Sequence, residues 1–135
     1  MRQMLIDTDI LSRFFRGDTR VVAAVSRYVS VHQTLHMSII SQYEILSGLY
    51  HKDAQQQLNR FLAFLPTVTV LPLTSAAIEK SAQCYAQTRK LGTPVDDMDL
   101  LIAGIALAND MGVCTHNTAH FSKIPSLYLE DWASE

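Results

Sequence analysis

The sequence predicts an α/β fold: a parallel sheet with helices on both faces. Three observations carry that prediction. Short apolar stretches alternate along the chain with segments of helical period. One helical segment, around residues 100–108, is apolar on nearly every side and must be enclosed. At 135 residues and 48% hydrophobic composition, the chain suits one domain, residues 1–135, with a real core.

Residues 4–8 read as the first strand, and a helical pattern runs from Asp9 to Arg16 until Gly17 stops it. Residues 19–31, "TRVVAAVSRYVSV", form a second helix despite their stiff valines. "TLHMSI" is the second strand, and Ser41 opens the helix "SQYEILSGLY". "DAQQQLNRFLAFL" has the stripe of an amphipathic helix closed by Pro66, and residues 67–71, "TVTVL", make the third strand. A helix over 75–91 ends at Gly92 and Pro94. The helix "DMDLLIAGIALANDMG", 97–112, takes Gly112 as its C-terminal cap. "VCT" is the fourth strand and "LYLED" the fifth. No repeat, low-complexity tract or linker interrupts this order.

The formal net charge of −2 excludes a strongly basic nucleic-acid coat, though not nucleic-acid binding, since bound divalent ions reverse the sign locally. Cys84 and Cys114 lack CxxC spacing, so neither a zinc site nor a redox pair is indicated, and free thiols suit a reducing cytoplasm. Asp7 and Asp9 interrupt the N-terminal apolar stretch too early for a signal peptide. No apolar run approaches the ~18 residues of a membrane span, so no membrane partner is expected.

In parallel α/β sheets, ligands gather beyond the carboxyl ends of the strands. Acidic residues fall there repeatedly. Asp7 ends the first strand, as a turn residue or as part of a site, and Asp9 is placed to cap the following helix. Glu44 has two readings: it closes a capping box with Ser41 in "SQYE", or it faces the same sheet edge as Asp7. Asp96, Asp97 and Asp99 crowd the start of the apolar helix, where one acid would suffice as cap. Three carboxylates in four positions repel one another and point to a cation nearby. Asp99 is the one expected in the site, with Asp96 or Asp97 as cap. Thr115, Asn117 and Thr118 follow the fourth strand, where hydroxyls and amides orient carboxylates or serve as ordinary turn residues. Such oxygen-rich clusters suit Mg²⁺ or Mn²⁺ rather than zinc. His116 and His120 stand four apart and would share a helical face, but HExxH and a third strong ligand are missing.

The segments "LIDTDIL", "SIISQYEILSG", "GTPVDDMDLLIAGIA" and "CTHNTAHFSKIPSLYLEDW", in this order from residue 4 to Trp132, resemble the motifs of PIN-domain proteins, and more closely those of VapC toxins from bacterial toxin–antitoxin pairs. The resemblance implies a three-layer α/β/α sandwich with strand order 3-2-1-4-5. It also implies metal-dependent RNA cleavage, with Asp7, Glu44 and Asp99 as the acids that hold Mg²⁺ or Mn²⁺. Asp9, Thr115 and Asn117 fall on supporting positions, Asn117 where some members carry a fourth acid. Ser41, Asp96 and Asp97 flank the site. The partners implied are an RNA substrate, a small VapB-like antitoxin and a second copy of the chain. Arg13, Arg16, Arg20, Lys52 and Arg89 are candidate phosphate contacts. The apolar positions Ile45, Leu49, Phe61, Phe64 and Leu65 are read as core before they are read as partner surface.

Two other classes remain open on the residues alone. Asp7-Thr8-Asp9 also resembles the start of haloacid-dehalogenase-type phosphatases, with Asp7 as nucleophile, although Leu11 stands where that motif wants Thr or Val. A non-catalytic interaction domain would use the acids only as helix caps.

Overall fold

A computed structural model describes residues 1–134, so the last residue of the expected domain lies outside the described residues. Five strands form one sheet: β1 (Met4–Ile6), β2 (His36–Ser38), β3 (Thr69–Leu71), β4 (Gly112–Cys114) and β5 (Leu129–Glu130). All neighbours pair in parallel in the order β3-β2-β1-β4-β5, as the family resemblance implies. The helices are α1 (Thr8–Phe15), α2 (Thr19–His32), α3 (Ile39–His51), α4 (Gln55–Phe64), α5 (Ser75–Lys90), α6 (Asp97–Ala108) and α7 (Thr118–Phe121). A 3₁₀ turn, Leu65–Thr67, carries Pro66. Among the described residues no helix is long and apolar enough to cross a membrane.

The two-residue period of the strands splits the interior into two cores. Leu5 and Val113 face α5, α6 and α7, packing with Ala77, Cys84, Ile102, Ile105 and Phe121. Met4 and Ile6 face the other way, onto Ile10, Leu11, Val21, Val25, Tyr28 and Phe61 from α1, α2 and α4. Ile45, Leu49, Phe64 and Leu65 pack partly buried against this second core. The Phe15 and Phe64 rings meet edge to face at 4.9 Å.

The structure corrects several boundaries. The apolar helix stops at Ala108, because Asn109 and Asp110 turn the chain there; Asp110 adopts φ 54° and the Met111 N–H closes on the Ala106 carbonyl at 2.8 Å. Gly112 is therefore not a cap but the first residue of β4. A Cβ at that position would lie 2.7 Å from the Tyr128 ring and 2.9 Å from Met4 Sδ. Thr118, one of the residues read as either orienting carboxylates or making an ordinary turn, begins α7, too short a helix for periodicity to reveal. His116 precedes it, so His116 and His120 do not share a helical face.

Helices α5 and α6 pack closely where the sequence places Gly104. A Cβ there would collide with the Ser81 side chain and lie 2.5 Å from the Ala77 carbonyl oxygen. Ser81 Oγ already donates to the Leu100 carbonyl at 2.8 Å, leaving no room to retreat. Gly104→Ala should destabilise the protein by about 1–3 kcal/mol through overpacking, despite the better helix propensity of alanine. A urea midpoint equal to or above wild type would refute this account of the contact.

Candidate active site

β1 is the middle strand, so its carboxyl end lies between those of β2 and β4. Asp7 occupies that end, 7% exposed, and its backbone N–H extends the pairing with β4 by donating to the Cys114 carbonyl at 2.9 Å. Thr8 is already helical, so Asp7 rather than Asp9 is the N-cap of α1, with Oδ1 accepting from the Thr8 N–H at 2.8 Å. Oδ2 accepts from the Thr115 hydroxyl at 2.9 Å.

Asp9, displaced from the capping role, points back toward the end of β4. Its Oδ2 accepts from the His116 N–H at 3.1 Å, while its buried Oδ1 has no hydrogen-bond partner among the described residues. Asp99 enters from the first turn of α6. Asp96 caps that helix, accepting from the Met98 N–H at 3.2 Å, and Asp97 is exposed beside it. The choice left open between Asp96 and Asp97 therefore falls to Asp96.

Glu44 is free of backbone capping. The N-cap of α3 is Ser38, whose Oγ accepts from the Ser41 N–H at 3.0 Å, because the helix starts two residues earlier than "SQYE" indicates. Ser41 lies in the first turn and Glu44 in the second. There, Glu44 Oε1 accepts from the Thr8 hydroxyl at 2.7 Å, and the same hydroxyl lies 3.1 Å from Ser41 Oγ. Thr8 thus ties Glu44 to the turn that carries Asp7 and Asp9.

On the other side, Thr115 Oγ1 accepts from the Asn117 N–H at 3.0 Å while donating to Asp7. The Asn117 amide nitrogen lies 2.8 Å from His120 Nδ1, which is 3.4 Å from Asp99 Oδ2. Thr8 and His120 are the site residues that sequence reasoning misses. Thr8 carries no signal beyond its place between two acids, and His120 reaches Asp99 only because α7 turns it there.

Electrostatics mark this cluster. Burial, then the charge of Asp9, pushes the Asp7 carboxyl up to about 7, against the hydrogen bonds from Thr8 and Thr115; Asp99 raises it further. Burial also raises Asp9, opposed by the His116 N–H. Asp99 is raised by burial first, with Asp96 and Asp9 adding to the effect and His120 opposing it. Among the described residues no three His, Cys, Asp or Glu side chains already converge to hold a metal ion. Even so, the donor set fits a hard divalent cation: it is all oxygen, mutually repelling, and includes the unpartnered Asp9 Oδ1.

The candidate phosphate contacts do not form one patch. Arg13 pairs with Asp18 at 3.6 Å, and Arg89 stacks on Tyr85. Arg16 and Lys52 border a hollow between α1, α3 and α4, and Arg20 borders another on α2.

Residues 4–127 match the PIN domain. The chain belongs to the PIN-domain family. Membership decides against the phosphatase reading of Asp7-Thr8-Asp9. The tRNA(fMet)-specific endonuclease VapC of Shigella flexneri is 31% identical over 98 residues, covering 70% of this chain and 74% of the relative. Ribonuclease VapC1 of Haemophilus influenzae strain R2866 is 26% identical over 95% of this chain and 96% of its own length. In structure, a chain of the DNA-bound VapBC crystal structure from Salmonella typhimurium superposes with a TM-score of 0.87 at 25% identity, covering 98% of this PIN-domain chain and 99% of that one.

Two expectations follow from the geometry. Ser38→Ala should cost ~1 kcal/mol of stability by removing the α3 cap, while Glu44→Gln, without a capping role, should leave the urea midpoint nearly unchanged; the reverse pattern would restore the capping box. For Asp7, the folded-state pKa lies above the ordinary 3.8, so the folded state holds the extra proton between roughly pH 4 and pH 7. Its contribution is complete below pH 4 and is lost as pH rises through about 7. In EDTA, wild-type protein should therefore lose stability across that window, and Asp7→Asn should lose less; parallel pH–stability curves would refute the assignment.

Proposed function

We infer that this chain is an endoribonuclease, the toxin of a VapBC-type pair. The observation that carries the reading is a buried Asp7 at the end of the central strand, near enough to Asp9 and Asp99 for their charges to act on it, with Glu44 tied to the same turn through Thr8. Asp7, Glu44 and Asp99 are the proposed ligands of Mg²⁺ or Mn²⁺, and Asp9 a supporting carboxylate. When bound, the ion lowers the pKa of water and neutralises charge building on the phosphate.

The protein groups divide the remaining work. The Thr8 N–H and the Thr115 hydroxyl hold one Asp7 oxygen each, fixing the plane of its carboxylate. The Thr8 hydroxyl sets the rotamer of Glu44. Asn117 and His120 brace Asp99 from α7. Water attacks phosphorus in line and the 3′-oxygen leaves, giving 5′-phosphate and 3′-hydroxyl ends. The 2′-hydroxyl takes no part, so no histidine base is needed.

That the relatives are ribonucleases supports RNA as substrate, and that the structural neighbour is a VapBC complex supports a small VapB-like antitoxin as partner. Homodimerisation and a cytoplasmic location complete the proposal.

End-labelled total RNA incubated with Mg²⁺ should yield fragments bearing 5′-phosphates. Excess EDTA or Asp7→Asn should reduce cleavage by at least ~100-fold, the scale expected when a group acting in the transition state is removed. Undiminished cleavage in EDTA would overturn the metal-dependent mechanism. Absence of cleavage by folded, Mg²⁺-loaded protein freed of any copurified partner would overturn the ribonuclease reading.

A further inference from the structure

One basic, aromatic-bordered hollow lies outside the acid cluster yet is joined to it by a single residue. It is an open concavity of about 370 Å³ between α2 and the C-terminal segment, bordered by Arg20, Ala23, Ala24, Arg27, Asp131 and Trp132. The alanines leave the floor open. Arg20 and Arg27 are exposed and stand seven positions apart on α2, two helical turns or ~10 Å along the axis. Neither forms an ion pair with another described residue.

Trp132 is half-buried, its ring centroid 5.5 Å from that of Tyr28. Its indole N–H is already used, donating to Glu130 Oε1 at 3.0 Å. What it offers to the hollow is ring surface rather than a hydrogen bond. The one acid among the described residues of the rim, Asp131, is occupied as well: Oδ1 accepts from the Ala133 N–H at 2.9 Å, and Oδ2 from Ser134 Oγ at 2.7 Å, with His116 Nδ1 at 2.9 Å. Among the described residues that border the hollow, two cations face one carboxylate that is already hydrogen-bonded.

His116 connects the hollow to the cluster. Its backbone N–H holds Asp9 Oδ2, and its imidazole reaches Asp131. The acid cluster and the rim of the hollow are therefore linked through one residue.

We propose that the Arg20–Arg27–Trp132 hollow is a subsite for single-stranded RNA flanking the scissile bond, with the arginines contacting phosphates and the indole ring packing against a base. The inference rests on the ribonuclease reading. Guanidinium groups beside an aromatic surface, next to a phosphodiester-cleaving centre, are the pairing that single strands require: electrostatics to track the backbone and a ring on which any base can stack. An acidic polypeptide shares the charge complementarity but makes no comparable use of the ring.

The chain has a single tryptophan, so intrinsic fluorescence reports on this hollow directly. The test titrates an unstructured 20-nucleotide RNA of mixed sequence into full-length Asp7→Asn protein with Mg²⁺, alongside the same protein carrying Arg20→Gln and Arg27→Gln. Both arginine side chains are exposed, and unchanged circular dichroism and melting temperature establish that the fold is intact.

The expected result is quenching of Trp132 on binding, a loss of affinity on the order of 10-fold at 0.1 M salt in the arginine variant, and a salt slope shallower by ~1.4 for two lost phosphate contacts. With Asp7 restored, the arginine variant should need more oligonucleotide to reach half-maximal cleavage. If wild-type protein cleaves total RNA but the arginine variant binds and cleaves the oligonucleotide like wild type, the subsite is overturned and the ribonuclease reading stands. If poly-glutamate quenches Trp132 in an arginine-dependent way and RNA does not, the hollow takes acidic polypeptide and the proposal fails. If wild-type protein neither binds nor cleaves RNA, both readings fail together.

Discussion

The structure turns on a buried carboxylate at the end of its central strand. Asp7 stands where β1, flanked on both sides, runs out between two cores, and ionising it there costs solvation that no bulk water returns. Its two oxygens are met by an N–H and a hydroxyl, and both donors come from elements the sheet fixes in place: Thr8 from the first turn of α1, Thr115 from the residue after β4. Those bonds offset part of the penalty. They do not remove it, because Asp9 and Asp99 add their own charge to the same volume. The apolar packing on both faces, from Met4, Leu5 and Ile6 outward, has to sustain that cost.

A set of short hydroxyl side chains makes the arrangement possible. Ser38 caps α3, Ser41 follows one turn on, and Thr8 bridges from α1 to Ser41 and Glu44. Short side chains lose little freedom on ordering and hold their oxygens close to the backbone, so the acids inherit the precision of the helix starts. Glu44 is the longest of the acids and the least constrained by the fold. Its place is set by Thr8, one residue from Asp7, so the first and second acids are joined through one short side chain.

The fold was legible because its signals are coarse and repeated. Alternating strands and helices indicate a parallel sheet without knowledge of any contact, and the apolar run after Asp99 can only be interior. The site was legible as a set of acids at strand ends, but not as a network. "SQYE" looks like a capping box because nothing in four letters tells whether the helix began two residues before them. In the structure it did, with Ile39 and Ile40 as helical residues behind Ser38. Asp9 looked like the cap for a similar reason: a one-residue shift in the helix start passes that role to Asp7. His120 was hidden more deeply, since a four-residue helix leaves no periodicity and its distance to Asp99 spans 21 residues of sequence. Local patterns locate elements to within a residue or two, and a cap is decided by one.

The net charge of −2 then looks less like an obstacle to binding RNA than a consequence of where the charges sit. Four of the acids, Asp7, Asp9, Glu44 and Asp99, sit buried or half-buried at the sheet edge, where they act over short distances on whatever enters. The arginines are dispersed on helix surfaces: Arg16 beside one hollow, Arg20 and Arg27 beside another. A phosphate backbone approaching such a surface is attracted at the periphery and repelled at the centre, unless a cation has first reversed the sign there. On the metal-dependent reading proposed above, a divalent ion held by these acids would make the centre a point the strand crosses rather than avoids, so one ion would serve both the chemistry and the path of the substrate.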